Sequence, residues 1–207
     1  MTSTKMLLNL GPGPTHVEVG GDFARVFDPE DYLTIVNALD EQTVVLRAHL
    51  ILEEFLNIWA ARLTGTEDLF AGTFVPFSTK LSVCVNLGLD KSFAEVLDRV
   101  NTIRNRYSHR RKYKIEQNAF DALRRSVDDL AGGGGFVPCE QFELLLEGVG
   151  PSGERRQHTI PWGEADMKKR LAVAQVVTVL KTVAWMQDQF RQRGIEYTLI
   201  ASAAPRG

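Results

Sequence analysis

Over residues 41–63 an apolar side chain recurs at every third or fourth position, through Val44, Val45, Ala48, Ile51, Leu52, Phe55, Ile58, Trp59 and Leu63. That period commits the segment to an α-helix, and so wide a stripe commits the helix to the inside of a bundle, because a surface helix presents a narrower apolar face. The spacing therefore predicts the central helix of a helical domain. Asp40 stands where an N-cap is needed, and Gly65-Thr66-Glu67-Asp68 ends the run.

The same period returns along the chain. Pro29-Glu30-Asp31 predicts a helix start, with helix to residue 39. Residues 78–87 read as a shorter helix closed by Gly88. Asp90 opens another, whose buried face is Phe93, Val96, Leu97, Val100, Ile103 and Tyr107. Residues 116–131 follow, with Phe120, Leu123, Val127 and Leu130 on one side. Four glycines, 132–135, end that helix as a hinge; no Gly-Lys-Ser/Thr follows them, which removes the phosphate-loop reading. Residues 136–149 and 155–162 flank Gly150-Pro151-Ser152-Gly153 as two short extended segments around a turn. Residues 165–193 form the last long helix, which either closes the bundle or makes a dimer seam. The fold class that follows is an all-α bundle with a short β-hairpin insertion near residues 136–162. It divides into an irregular N-terminal arm over 1–28, a helical core over 29–135, and the hairpin-like segment with its C-terminal helix over 136–207.

At 207 residues the chain is long enough to bury a proper core. Its net charge of -2 excludes nucleic-acid binding through the field of the whole protein and leaves that task to a local basic patch. Two cysteines, Cys84 and Cys139, argue for a reducing, cytoplasmic setting and against a disulfide framework. The N-terminal stretch lacks the length and cleavage site of a signal peptide, and the most apolar segment, 171–186, is interrupted by Gln175 and Lys181, so no membrane span is expected.

The basic patch lies at one place. Six Arg and Lys fall within residues 104–114: Arg104, Arg106, Arg110, Arg111, Lys112 and Lys114. A helix C-terminus favours one or two cations through its dipole, and the excess suits an anionic partner. Among them stand Asn105 and His109, four apart on the polar face that also carries Asp98 and Thr102. Arg104 and His109 are five apart, about 140° around a regular helix, so they converge only through the reach of the arginine and a loosened last turn. His109 is the candidate base or acid, Arg104 the candidate stabiliser of a phosphate and its transition state, and Asn105 the candidate orienter. Arg106, Arg110, Arg111, Lys112 and Lys114 are candidate RNA contacts. Glu53 and Glu54, near His49 on the long helix, are candidates to reach across and orient the site, with Asp98; the competing and favoured reading is a plain interhelical polar row. The four histidines, at 16, 49, 109 and 158, are scattered and no metal-ligand spacing occurs, so neither a metal nor another cofactor is expected.

The Arg104-Asn105-x-x-x-His109 arrangement resembles the Arg-x4-6-His motif of the HEPN superfamily, helical domains that include metal-independent RNA endonucleases. The likeness extends over residues 31–114, about two fifths of the chain. It takes in a long apolar helix containing Leu50-Ile51-Leu52-Glu53-Glu54-Phe55-Leu56, the start Pro76-Phe77-Ser78-Thr79-Lys80-Leu81, then Asn86-Leu87-Gly88-Leu89, and finally the motif. That succession is similar to the branch containing the mannitol operon repressor. The resemblance implies a homodimer in which two copies of the motif meet across a cleft, and RNA cleavage by attack of the 2′-hydroxyl. The tyrosine that some members carry two residues after the histidine is replaced here by Arg111, which weakens any expectation of control through its modification. Two readings remain open. One is an endoribonuclease, as a toxin or an effector of defence or stress with an antitoxin or regulatory protein as partner; the other is a non-catalytic helical transcriptional regulator or interaction module. The intact motif and its basic flank favour the first.

Overall fold

The computed structural model describes residues 6–8, 34–35, 37–131, 136–149 and 154–196. Its long elements are β1 (Met6–Leu8), α1 (Glu41–Thr64), α2 (Phe77–Asn86), α3 (Lys91–His109), α4 (Gln117–Asp128), β2 (Glu143–Val149), β3 (Arg155–Pro161) and α5 (Met167–Gln192). Three of these helices, α1, α3 and α5, begin at an aspartate cap. Asp40 Oδ1 accepts from Thr43 N at 2.7 Å, Asp90 Oδ1 from Ser92 N at 2.8 Å, and Asp166 Oδ1 from Lys169 N at 3.0 Å, each satisfying a donor that the first turn leaves free. Gly65 ends α1 in the left-handed region at φ 68°, where a side chain would be strained.

The fold is all-α with a short antiparallel sheet. α1 packs against α2, α3 and α5, and α4 joins α3 to α5. The helix enclosed on every side is α5: nine consecutive residues from Leu171 to Val179 are all buried. Residues 41–63 were expected to be the central helix, but α1 keeps partly exposed positions along one side while α5 keeps none over that stretch. Over residues 171–179 this helix is buried within one chain, so that stretch closes the bundle. Trp59, Phe55, Phe93, Phe120 and Phe190 are the largest fully buried side chains. Trp59 lies 4.9 Å from the ring of Trp185 and 5.4 Å from that of Phe190, which locks α1 to α5 through aromatic contacts.

An enclosed helix must satisfy its polar groups internally. Thr178 and Thr182 donate to the carbonyls one turn back, Ala174 O and Thr178 O, both at 2.7 Å. Lys181, only 4% exposed, donates to Val127 O at 2.9 Å, Asp128 O at 2.7 Å and Leu130 O at 3.2 Å. It thereby caps the C-terminus of α4, whose last carbonyls have no helical partner. Asp128 in turn accepts from Cys139 N at 2.8 Å and pairs with Arg124 at 3.1 Å, which ties in the segment leading to the sheet.

In that sheet β2 pairs with β3 from Glu143↔Pro161 to Val149↔Arg155, and the facing pair Leu144↔Ile160 is buried. This is the hairpin expected within 136–162. β1 adds a third strand, Met6 opposite Leu146, so three residues of the stretch read as an irregular arm are extended and paired. The remainder of 1–28, the glycines 132–135, and residues 29–33 and 36 of the first expected helix lie outside the described residues; Thr34 and Ile35 are helical, but the helix does not reach residue 39 as expected, since 37–39 form a turn and bend leading into the Asp40 cap. Cys84 and Cys139 are buried free thiols, and burial pushes Cys84 up to about 12, which makes it inert packing. Among the described residues no helix is long and apolar enough to cross a membrane.

Replacing Lys181 with Met keeps the stem and removes the donor from three carbonyls. The expected cost is about 2–3 kcal/mol, read as a lower thermal midpoint with unchanged helical content by circular dichroism.

Candidate functional site

The end of α3 is held in place by a tyrosine and a glutamate that the sequence reading did not single out. Tyr107 Oη donates to Glu41 Oε2 at 2.5 Å, and Ile115 N donates to Tyr107 Oη at 3.1 Å and to Glu41 Oε2 at 3.3 Å. Burial and the glutamate push the Tyr107 phenol well above its ordinary range, so it stays a neutral donor. Tyr113 packs edge-on against Tyr107 at 4.8 Å. These contacts clamp the turn after α3 to the N-terminus of α1. The result is an exposed cationic surface made of Arg106, Arg110, Arg111, Lys112 and Lys114. None of the five forms an ion pair among the described residues.

Arg104 lies on another side of the helix. It is half-buried, and its Nη1 donates to Asn105 Oδ1 at 3.0 Å. Its Nε is shielded from solvent without a hydrogen-bond partner, and no carboxylate pairs with it among the described residues. Asn105 thus orients the arginine. His109 is exposed at the last residue of α3. The last turn does not loosen: Arg110 N donates to Arg106 O at 3.0 Å, the regular helical bond. Within one chain the expected convergence of Arg104 and His109 is therefore not made, since regular geometry keeps the two side chains about 140° apart.

The histidine that shares the arginine's surroundings is His49. It is 3% exposed on α1, its Nε2 lies 3.2 Å from Asn101 Oδ1, and its ring centroid is 4.4 Å from that of Phe77. Burial first, and then the Arg104 guanidinium, hold its imidazole below the ordinary range; Asn101 and Glu53 act in the opposite sense. Its one legible signal was a polar residue on the most apolar face of α1. Asn101 is 52 positions away, and only the antiparallel packing of α1 on α3 brings the two together.

The three carboxylates expected to orient the site do something else. Glu53 accepts from Lys80 at 2.8 Å, and Glu54 accepts from Asn57 at 3.0 Å; neither bonds to Arg104 or His109. Their reach is taken up by α2 and by their own helix, which is the interhelical polar row of the competing reading. Asp98 is exposed on a groove of about 400 Å³ between α3 and α4, with Glu95, Arg99, Thr102 and Arg106. A larger cavity of about 530 Å³ lies beside the C-terminal half of α1, lined by Asn57, Arg62, Asp68 and Phe70, and contains none of Arg104, Asn105 and His109. Among the described residues no three His, Cys, Asp or Glu side chains are placed to hold a metal ion.

A histidine whose folded pKa is lowered leaves the unfolded chain with more bound protons at mildly acid pH. Stability is then complete above about 6.5 and falls as pH drops towards the lower folded value. The thermal midpoint of the protein should decline over that window, and His49→Gln, which does not titrate, should lessen the decline; differential scanning calorimetry from pH 7.5 to 5.0 measures it.

Compared with protein-family models, curated proteins and solved structures, the chain finds no match.

Proposed function

We propose that the chain is an endoribonuclease of HEPN type, the effector of a defence or stress system, acting as a homodimer and without a metal ion. The observation that supports this reading is Arg104: a half-buried guanidinium, held by Asn105, with no carboxylate paired to it among the described residues. A planar donor fork kept in that state suits a phosphate, and the cationic turn beside it suits the flanking backbone.

The chemistry is an internal displacement. A base takes the 2′-hydroxyl proton as that oxygen attacks phosphorus, the bond from phosphorus to the 5′-oxygen breaks, and an acid protonates the departing oxygen. The products are a 2′,3′-cyclic phosphate and a 5′-hydroxyl. Arg104 stabilises the charge that grows on the phosphorane. His109 supplies one proton step. Because it does not meet Arg104 within its own chain, the reading assigns the other step and the convergence to a second copy, with the partner's His109 completing the cleft. Leu50, 60% exposed beside His49 on α1, supplies apolar contact for that association.

One observation favours a non-catalytic regulator instead, namely that same separation of His109 from Arg104 in the single chain. An RNA-cleavage assay decides between the two. Cleavage should persist in chelator and leave the cyclic end. It should fall by about 10²-fold or more in His109→Ala, and fall also in Arg104→Lys, where a point charge replaces the fork. Arg111→Ala or Lys112→Ala should weaken binding and reduce its salt slope by about one, with the chemical step nearly unchanged. Undiminished activity in His109→Ala would place the chemistry on other residues, and sedimentation showing a strict monomer that still cleaves would remove the shared cleft.

A further inference from the structure

We propose that His49 is a positioning residue of the Arg104 site, and that a phosphate seated on Arg104 draws a proton onto His49, so that binding of an oligoribonucleotide is linked to proton uptake. This rests on the reading of Arg104 as the phosphate contact.

Residues of α1, α2 and α3 surround the His49 imidazole. From α3 it meets the Asn101 amide, at 3.2 Å from Nε2, and the field of Arg104 one turn further along that helix. From α2 the Phe77 ring covers it at 4.4 Å. On its own helix the neighbouring charge is Glu53, which is shared with Lys80 of α2; that lysine is also held by Asn57 at 3.1 Å. The imidazole thus feels one cation with no ion-pair partner among the described residues and one carboxylate that is already paired. With Asn101 Oδ1 accepting from Nε2–H, Nδ1 is the atom left to take an added proton.

A phosphate on Arg104 changes this balance in one direction. It offsets the guanidinium charge, which is the neighbouring charge opposing protonation, and leaves Glu53 and Asn101, which both favour it. Linkage then runs both ways: the bound anion raises the proton affinity of His49, and protonation of His49 tightens the anion. His49 is too buried to touch the ligand, so it acts on Arg104 through its charge, from beside Asn101 one turn earlier on α3.

The experiment follows the His49 ring resonance by NMR across pH 5–8, assigned as the one of the four histidine signals that survives replacement of His16, His109 and His158 in turn. The measurements use free protein, protein saturated with a 2′-O-methyl oligoribonucleotide, whose nucleophile is blocked, and protein with pyrophosphate. The expected result is a midpoint below 6.5 in the free protein that moves upward with either anion, and oligonucleotide affinity several-fold higher at pH 6.0 than at pH 7.5. In a His109→Ala background, which removes the exposed imidazole, adding His49→Gln should abolish that affinity difference. Arg104→Ala should raise the midpoint of the free protein and abolish its displacement, and this arm decides the matter even where His49→Gln does not fold. A midpoint unmoved at saturation, or a pH dependence intact in His49→Gln, overturns the proposal. Displacement by pyrophosphate without cleavage of unmodified RNA overturns the ribonuclease and leaves the linkage. Cleavage dependent on Arg104 with a static His49 does the reverse, and no binding of either anion overturns both.

Discussion

Enclosure of α5 is the constraint that orders everything else. A helix with nine successive buried residues needs neighbours on all sides, and the aromatic contacts of Trp59 with Trp185 and Phe190 fix how α1 lies against it. Fully burying a large apolar side chain contributes roughly 1.5–3 kcal/mol, so these contacts outweigh any single polar interaction at the surface. The same enclosure makes polar groups on α5 costly unless they are satisfied, and Lys181 is satisfied by becoming the cap of α4. One ammonium thus does two things at once: it meets its own hydrogen-bond demand and ends a neighbouring helix.

α4 in turn follows α3, so the placement of α3 is inherited from the core. Its apolar face, from Phe93 to Tyr107, looks inward and leaves Arg104, Asn105, Arg106 and His109 off that buried face. Tyr107 belongs to both sets. Its ring is buried with the core, while its hydroxyl joins Glu41 and the Ile115 amide and holds the cationic turn. Four cations in a short, exposed turn, with Arg106 just before it, repel one another, and the bonds among Tyr107, Glu41 and the Ile115 amide hold the turn against that repulsion.

The helices were legible because each has a strong period and a recognisable end, and Asp40, Asp90 and Asp166 cap where the pattern begins. The two strands were legible as the extended segments on either side of Gly150-Pro151-Ser152-Gly153, which themselves lie outside the described residues. The order of burial was not, since Gln175, Thr178, Lys181 and Thr182 make α5 look more polar than its surroundings are. Near the motif, Arg104, Asn105 and the basic turn were readable from local spacing. The contacts of His49 with Asn101, of Tyr107 with Glu41 and of Glu53 with Lys80 were not. Each links residues far apart in the chain, and helix periodicity reports which face is apolar without reporting which helix it meets.

That limit bears on what the arginine is for. Half-buried cations in proteins usually acquire a carboxylate, because desolvating a lone charge is expensive. Glu53 is close enough to act on His49 electrostatically, yet its hydrogen bond goes to Lys80, and the aromatic ring of Phe70 at 5.4 Å further fixes that lysine in place. Lys80 thereby withholds Glu53 from Arg104. Among the described residues, the groups that act on the guanidinium's surroundings are the Asn105 amide that orients it and a buried imidazole that its charge helps keep unprotonated. A site assembled this way conserves positive charge where a salt bridge would have cancelled it, and it places next to that charge a group whose protonation depends on whether the charge is met.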